Sequence, residues 1–491
     1  MIKEKNKIIA IVILILITLI ALTASSYALL TKSYKSKTLS VSVGTLKVDF
    51  TEGNAINLDN TKPMSDSDGM NTTPYTFTIT NSGDINAYYT VSNEEELANT
   101  LDTSYLRMKL TGSDGYDSGI KTVKELGTET YKLVDETLLA TGKSVTYELR
   151  MWISQDAGND IQDKIYKSKI VVNGTSNKEP SASETLVAKA NPETLDYNTA
   201  TDEQKNQMWA FPHEATEQLK ATTDYRYIGA NPNNYVKFNN ELWRIIGVFD
   251  VDDGTGKVEK RMKIIRNESI GNYSWDYTSS GSYTNEWKTA QLNTLLNSGA
   301  YYNRTTGSYY NNSTSASNVD FTSTGLTDAA KSMIGDAKWY LGGASNYTSS
   351  SNGLASHFYS YERGTAVYNS SRSTNWTGKV GLMYPSDYGY ATSGGNSRNR
   401  ASCMAKELIN WDDSSYSDCK NNDWLYNSSQ YQWTMSPRAD YSIGVFSVYA
   451  AGYVDINNAY YALAGRPVVH LKSTIKVISG SGTTSSPFIL G

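Results

Sequence analysis

The stretch NYVKFNNELWRIIGVFDVDDGTGKVEKRMKIIRN, residues 234–267, decides how the second half of the chain is read. Residues 234–251 and 258–267 alternate apolar with polar side chains, the period of a half-buried strand. Between them lies Asp252-Asp253-Gly254-Thr255-Gly256, which is turn chemistry, so the whole predicts a β-hairpin. The same turn begins like a calcium loop, with Asp250 and Asp252 in its first two ligand positions. Thr255 stands where that loop needs glycine, and a cation, Arg261, stands where it needs its last carboxylate, so the calcium reading fails.

Downstream, TNEWKTAQLNTLLNSGAYY (284–302) places Trp287, Leu292, Leu295 and Leu296 near helical spacing. TDAAKSMIGDAKWYLGG (327–343) predicts a second helix ending at Gly342. Residues 345–430 read as polar loop studded with Trp, Tyr and Gly. The chain closes on strand-like WTMSPR, GVFSVYAAGYVDINNAYYALAGRPVVHLKS and IKVISGSGTTSSPFIL. A small sheet with two helices and long aromatic-pinned loops is an α+β arrangement over 225–491. In its last strand Val469 and Leu471 should face one side, Val468 and His470 the other. Pro467 belongs at the strand's beginning or edge. Arg466 at the turn is free to clamp a loop carboxylate or carbonyl.

Working toward the N-terminus, 176–224 reads as a linker with short helices. TSNKEPSASE is poor in apolar residues, and Pro212 interrupts a helix-forming run. Residues 36–175 carry alternating runs such as KTLSVSVGTLKVDF, PYTFTITNSGDINAYYTV and SVTYELRMWISQDAGND, separated by turn signals. They predict an antiparallel β-sandwich, so the chain as a whole should be mainly β. Residues 1–31 form a transmembrane or signal segment: Lys3, Lys5 and Lys7 precede an apolar stretch with no charge before Lys32. The lysines would hold the N-terminus in the cytoplasm and send the rest outside. Ser26-Tyr27-Ala28 also permits cleavage after Ala28.

Composition agrees with an exposed, extracellular protein. Charged residues make up only 19%, so Ser, Thr, Asn and Tyr do the solubilising, and 37 tyrosines stand against nine phenylalanines. A net charge of −5 with no basic block past the N-terminus argues against a nucleic-acid partner. In an exported chain Cys403 and Cys419 are expected to form a structural disulfide worth about 3 kcal/mol.

VGTLKVDFTEGNAINL, the acidic SDSDG and PYTFTITNSGDI resemble the camelysin-type family of exported β-sandwich proteins of Gram-positive bacteria, over roughly residues 25–175. That resemblance implies a surface or biofilm-matrix location. In fibre-forming members it implies assembly by donating an N-terminal strand, here Lys37–Phe50, to the next subunit. The family label also carries a protease activity, for which this chain offers no HExxH, and His213 lies outside the sandwich. NPNNYVKFNNELWRIIGVF, GLMYPSDYGYA, WTMSPR and AGRPVVHLKS resemble a loop-rich end domain of bacterial surface proteins. The final strands are similar to the C-type-lectin-like or formylglycine-generating-enzyme-like fold. Enzyme members of that fold use a defined cysteine motif whose spacing Cys403 and Cys419 do not match, and fold alone gives no function.

No catalytic constellation stands out. His213, His357 and His470 have no nucleophile elbow beside them. Ser417-x-x-Lys420 and Ser473-x-x-Lys476 lack the companion motifs of penicillin-recognising enzymes. Asp66 and Asp68 read as a solvated turn. No metal or cofactor is implied. Trp243 and Trp433 read as core, whereas Trp376, Trp411 and Trp424, among Asn, Asp and Tyr, are candidates for stacking a ligand's sugar rings. The expected function is a structural or adhesive surface role without catalysis, binding cell-wall or host glycan or protein, with possible self-association by strand donation. The alternative is a wall-associated hydrolase using a carboxylate pair, which needs no sequence motif.

Overall fold

Phe77 and Ile79 on one strand, and Tyr89 and Val91 on another, turn toward a common core from two different sheets. The computed structural model describes residues 46–52, 62–96, 99–127, 129–162, 164–176 and 180–491. The export segment at 1–31 and residues 37–45 of the expected donor strand lie outside the described residues. Among the described residues no helix is long and apolar enough to cross a membrane. The chain is mainly β, with several sheets.

In the first unit the strands are β1 (Val48–Glu52), β2 (Tyr75–Asn81), β3 (Ala87–Glu95), β4 (Leu106–Gly112), β5 (Lys121–Thr122), β6 (Thr130–Leu139), β7 (Ser144–Ile153) and β8 (Ser168–Thr175). They pair antiparallel as β1-β2-β7-β4-β5 and as β6-β3-β8. Alternation in sequence becomes alternation in burial: Val145, Tyr147, Leu149 and Met151 of β7 point inward and the residues between them outward until the strand's end. The Tyr89 and Tyr147 hydroxyls meet at 2.7 Å, one from each sheet, so the polar tips are satisfied inside the core. Residues 48–50 of the expected donor strand lie within β1, at the edge of the chain's own sheet, antiparallel to β2. Val48 packs over Gly174 of β8, where an added Cβ would stand 2.7 Å from Val48 Cγ2.

The expected linker at 176–224 is corrected. From residue 180 the chain folds onto the second core, to which Ala182, Leu186, Met208, Trp209 and Phe211 all contribute. Two short helices do form, Ala182–Val187 and Asp202–Lys205, each closed by a capping box, Ser181 with Glu184 and Thr201 with Gln204. Then β9 (Trp209–His213) pairs with β10 (Thr222–Arg226). Its Pro212 is tolerated because, among the described residues, only β10 pairs with β9 at that position, the bridge from Asn191 reaching no further than Trp209 and Ala210. Sparse large apolar residues among polar ones look like linker by composition, yet each is an anchor.

Next, β11 (Tyr235–Phe238), β12 (Glu241–Asp252) and β13 (Val258–Arg266) carry the opening stretch. The hairpin β12–β13 runs in register from Trp243↔Arg266 to Asp252↔Val258, with a bulge between Ile245 and Gly247. At its tip Asp252 Oδ1 accepts from the amides of Gly254 (2.8 Å) and Gly256 (3.0 Å), both glycines at positive φ. Val468–His470 joins β13 as an interior strand, flanked on its other side by Val380–Gly381. A second sheet comprises Asn272–Ser274, Ala462–Ala464, Gln432–Pro437, Gly444–Val448 and Val454–Asn458.

Gln291–Asn297 is helical, as its spacing predicts. The second helix is shorter than expected: it spans Asp328–Met333 and stops at an extended Ile334 before Gly335. Ala337–Tyr340 is instead a strand paired with Asn375–Gly378, since Trp339 and Tyr340 favour a pleated surface. The expected loop at 345–430 contains short helices, including Ala355–Glu362 and Pro385–Ala391. Cys403 and Cys419 are joined in a disulfide with Cα atoms 5.4 Å apart. It ties helix Arg400–Met404 to helix Ser417–Asn421.

Candidate functional site

The three tryptophans expected to stack a ligand do not form a site. Trp411 is fully buried, its ring 5.3 Å from that of Tyr388. Trp424 is buried too, donating its indole N–H to Tyr227 O at 3.0 Å with the Arg244 guanidinium over its ring. Trp376 is half-buried, paired with Trp339 across two strands and edge-on to Trp287 at 6.1 Å. Trp411 and Trp424 anchor loops and Trp376 packs from a strand against the core, because a ring flanked by Asn and Asp in sequence can still be covered by distant segments.

The exposed rings belong to tyrosines instead. Tyr460 and Tyr461 sit in the turn between strands Val454–Asn458 and Ala462–Ala464, closed by Tyr461 N donating to Asn458 O at 2.9 Å. Beside it runs the loop after Asn272–Ser274. Asp276 shapes that loop by accepting from Thr284 N (2.8 Å) and Gln291 N (3.1 Å). Ser274 Oγ donates to Tyr460 O at 2.7 Å, fastening turn and loop together. The result is a continuous run of rings: Tyr277 to Tyr283 at 5.9 Å, Tyr283 to Tyr460 at 4.8 Å, and Tyr460 to Tyr461 at 4.4 Å. Tyr461 at the end of the run is 42% exposed. A second group, Tyr431, Tyr449 and Tyr453, has centroids 4.7 and 4.4 Å apart, with Tyr431 exposed. The sequence signal for the first group is the tyrosine doublet in NNAYYA, residues 457–462.

Beneath the sheet lies an ionic cluster sealed from solvent. Asp387, on helix Pro385–Ala391, receives Arg226 Nη1 at 3.0 Å on Oδ1 and Lys263 Nζ at 2.5 Å on Oδ2. Arg226 also reaches Asp224 at 2.9 Å, and His213 lies 3.3 Å from the same Asp224 oxygen, stacked on Tyr359. Glu362 accepts from Ser386 N and Oγ and pairs with Arg363 at 2.9 Å. Burial opposes every charge here. It pushes the Glu362 carboxyl up to about 7 and pulls the Lys263 amine down. Burial works against ionised Asp387 as well, but Lys263 and Arg226 overcome it and hold the carboxyl below its usual range.

His470 adjoins this cluster, 4.9 Å from the Trp339 ring, and burial holds its imidazole well below the ordinary range, hence neutral. Arg466, expected to clamp a loop, is buried and holds two strands instead: it donates to Arg266 O at 3.0 Å and to Gln432 Oε1 at 2.9 Å. Burial lowers its guanidinium to about 10. Among the described residues no group of three or more His, Cys, Asp or Glu side chains is arranged to hold a metal.

No family model matches the chain, and no curated protein matches it. A solved structure described as "AvmM Catalyzes Macrocyclization in Alchivemycin A Biosynthesis" aligns over 28% of this chain and 91% of its own, at 11% identity. Its TM-score is 0.16, a likeness too slight to bear on fold or activity.

Proposed function

We propose that the chain is an exported surface or matrix protein with a structural and adhesive role. A camelysin-like sandwich over 36–175 would mediate assembly, and a lectin-like α+β unit downstream would bind glycan. Export rests on the uncharged apolar segment between Lys7 and Lys32, which leaves the chain membrane-tethered or secreted.

The observation that carries the adhesive role is the run of tyrosine rings ending at the exposed Tyr461. Tyrosine faces take up the apolar C–H faces of sugars while the hydroxyls exchange hydrogen bonds with sugar hydroxyls. For assembly, β1 holds the edge of its sheet through a single ladder with β2, so an equivalent strand from another copy could replace it pair for pair. The hydrolase reading draws less support. Burial raises the carboxyls of Glu362 and Asp423, but both groups are sealed from solvent and present no reacting face.

Screening the chain without residues 1–31 against a glycan array and by pull-down tests the reading. Retention of a glycan class that Tyr461→Ala weakens supports it. Silence in both assays removes the adhesive role, capture of a protein alone replaces glycan as the ligand, and sustained product release from peptidoglycan or casein favours the hydrolase.

A further inference from the structure

We propose that Lys263 and Asp387 condense into an intramolecular amide, a covalent bond from Nζ to Cγ that fastens helix Pro385–Ala391 to β13.

The two groups meet at 2.5 Å across 124 positions of sequence, with side chains 2% and 0% exposed. Around the amine stand the rings of Tyr384 (4.5 Å), Phe249 (5.4 Å) and Trp339 (5.8 Å). An ammonium there holds three N–H donors against one carboxylate oxygen and ring faces, whereas an amide has a single N–H to place. Taking two ions out of water costs several kcal/mol each, so a dry site favours their neutral product. Charge balance survives the step: removing one cation and one anion leaves Arg226 paired with Asp224 and Arg363 with Glu362.

The step needs no co-reactant. A proton crosses the hydrogen bond from the ammonium to Oδ2, giving a neutral amine and a neutral acid. The nitrogen lone pair attacks Cγ, and Arg226 Nη1, 3.0 Å from Oδ1, stabilises the negative charge that builds on that oxygen. The Cγ–Oδ2 bond breaks as a second proton leaves nitrogen, and Oδ2 departs as water. Ammonium plus carboxylate thus become amide plus water, with atoms and charge balanced.

Mass spectrometry of the reduced, wild-type protein tests this. Trypsin should release a branched species joining residues 262–266 to residues 380–398, about 18 Da lighter than the two peptides together. In Lys263→Arg no branch should form. In Asp387→Asn the same branch should form with loss of ammonia, about 17 Da below the sum of its own two peptides. Cleavage after Lys263, together with recovery of residues 380–398 as a linear species of full mass, overturns the proposal, as does a dehydrated but unbranched 380–398. The wild-type digest decides by itself if either variant fails to fold.

Discussion

Lys476, fifteen residues from the chain's end, donates to Glu136 of the first unit at 2.7 Å, spanning 340 positions. Both side chains are largely shielded, and Glu136 sits at φ +30°, a conformation that costs a non-glycine residue free energy. The pair therefore works as a latch between two units that each have their own core. Replacing Lys476 with Met should weaken that latch by ~1 kcal/mol, raising the unlatched population roughly fivefold. Faster proteolysis within 176–181, with both cores still folded by circular dichroism, would register it; unchanged cleavage would count against the latch.

Joining Cys403 to Cys419 closes a short loop between two small helices. Replacing both with Ser should lower stability by about 3 kcal/mol on the loop-entropy estimate. Denaturant unfolding of the two forms would give the difference.

His470 makes stability depend on acid. Its folded pKa is depressed by burial, so below the ordinary value of about 6.5 the unfolded chain binds a proton that the folded chain refuses. Protons bound favour the unfolded state, and this contribution falls by ~1.4 kcal/mol per pH unit as pH drops from that point. Glu362 pulls the other way: its folded value of about 7 lies above its unfolded one near 4.5, so it gains stability as pH falls through that window. Between pH 6.5 and pH 5 the two opposite slopes nearly cancel in the wild type, so His470→Leu should leave only the Glu362 contribution, and stability should rise as pH falls through that window. Matching slopes in the two proteins would refute the assignment.

Tyr461→Ala should weaken glycan retention by roughly fivefold, the worth of about 1 kcal/mol of ring stacking. Tyr368→Ala removes an equally exposed ring outside the run and should leave retention unchanged. Equal losses from both would show that the run is not the site.

Gly174→Val would drive a side chain into Val48 and push β1 from its edge position. Amide exchange over residues 48–52 should then approach solvent rates while β2 and β7 stay protected. If β1 is the exchangeable element in self-association, the variant should also form more oligomer at equal concentration, read by light scattering.

Local chemistry was legible from sequence where the deciding partners are near in the chain. The hairpin of 234–267 follows from alternation plus Asp252, whose carboxylate caps two glycine amides within four residues. Alternating runs likewise became β2, β3 and β7. The reading failed where distant atoms decide. Residues 180–224 have a linker's composition, but Trp209 and Phe211 find a core built from strands after them. The helix expected to reach Gly342 ended early because Ala337–Tyr340 gains a partner in Asn375–Gly378.

By itself, then, the sequence determined a mainly β chain and the turn at 252–256, both of which follow from periodicity and from the side chains' own chemistry. Only the tertiary structure decided which aromatic rings face water and which ions meet. Trp411 lost its faces to Tyr388 and its neighbours, Tyr461 kept them, and Lys263 met Asp387 in a dry pocket of rings. Exposure and pairing are properties of what packs above a residue, and that covering comes from segments tens to hundreds of positions away.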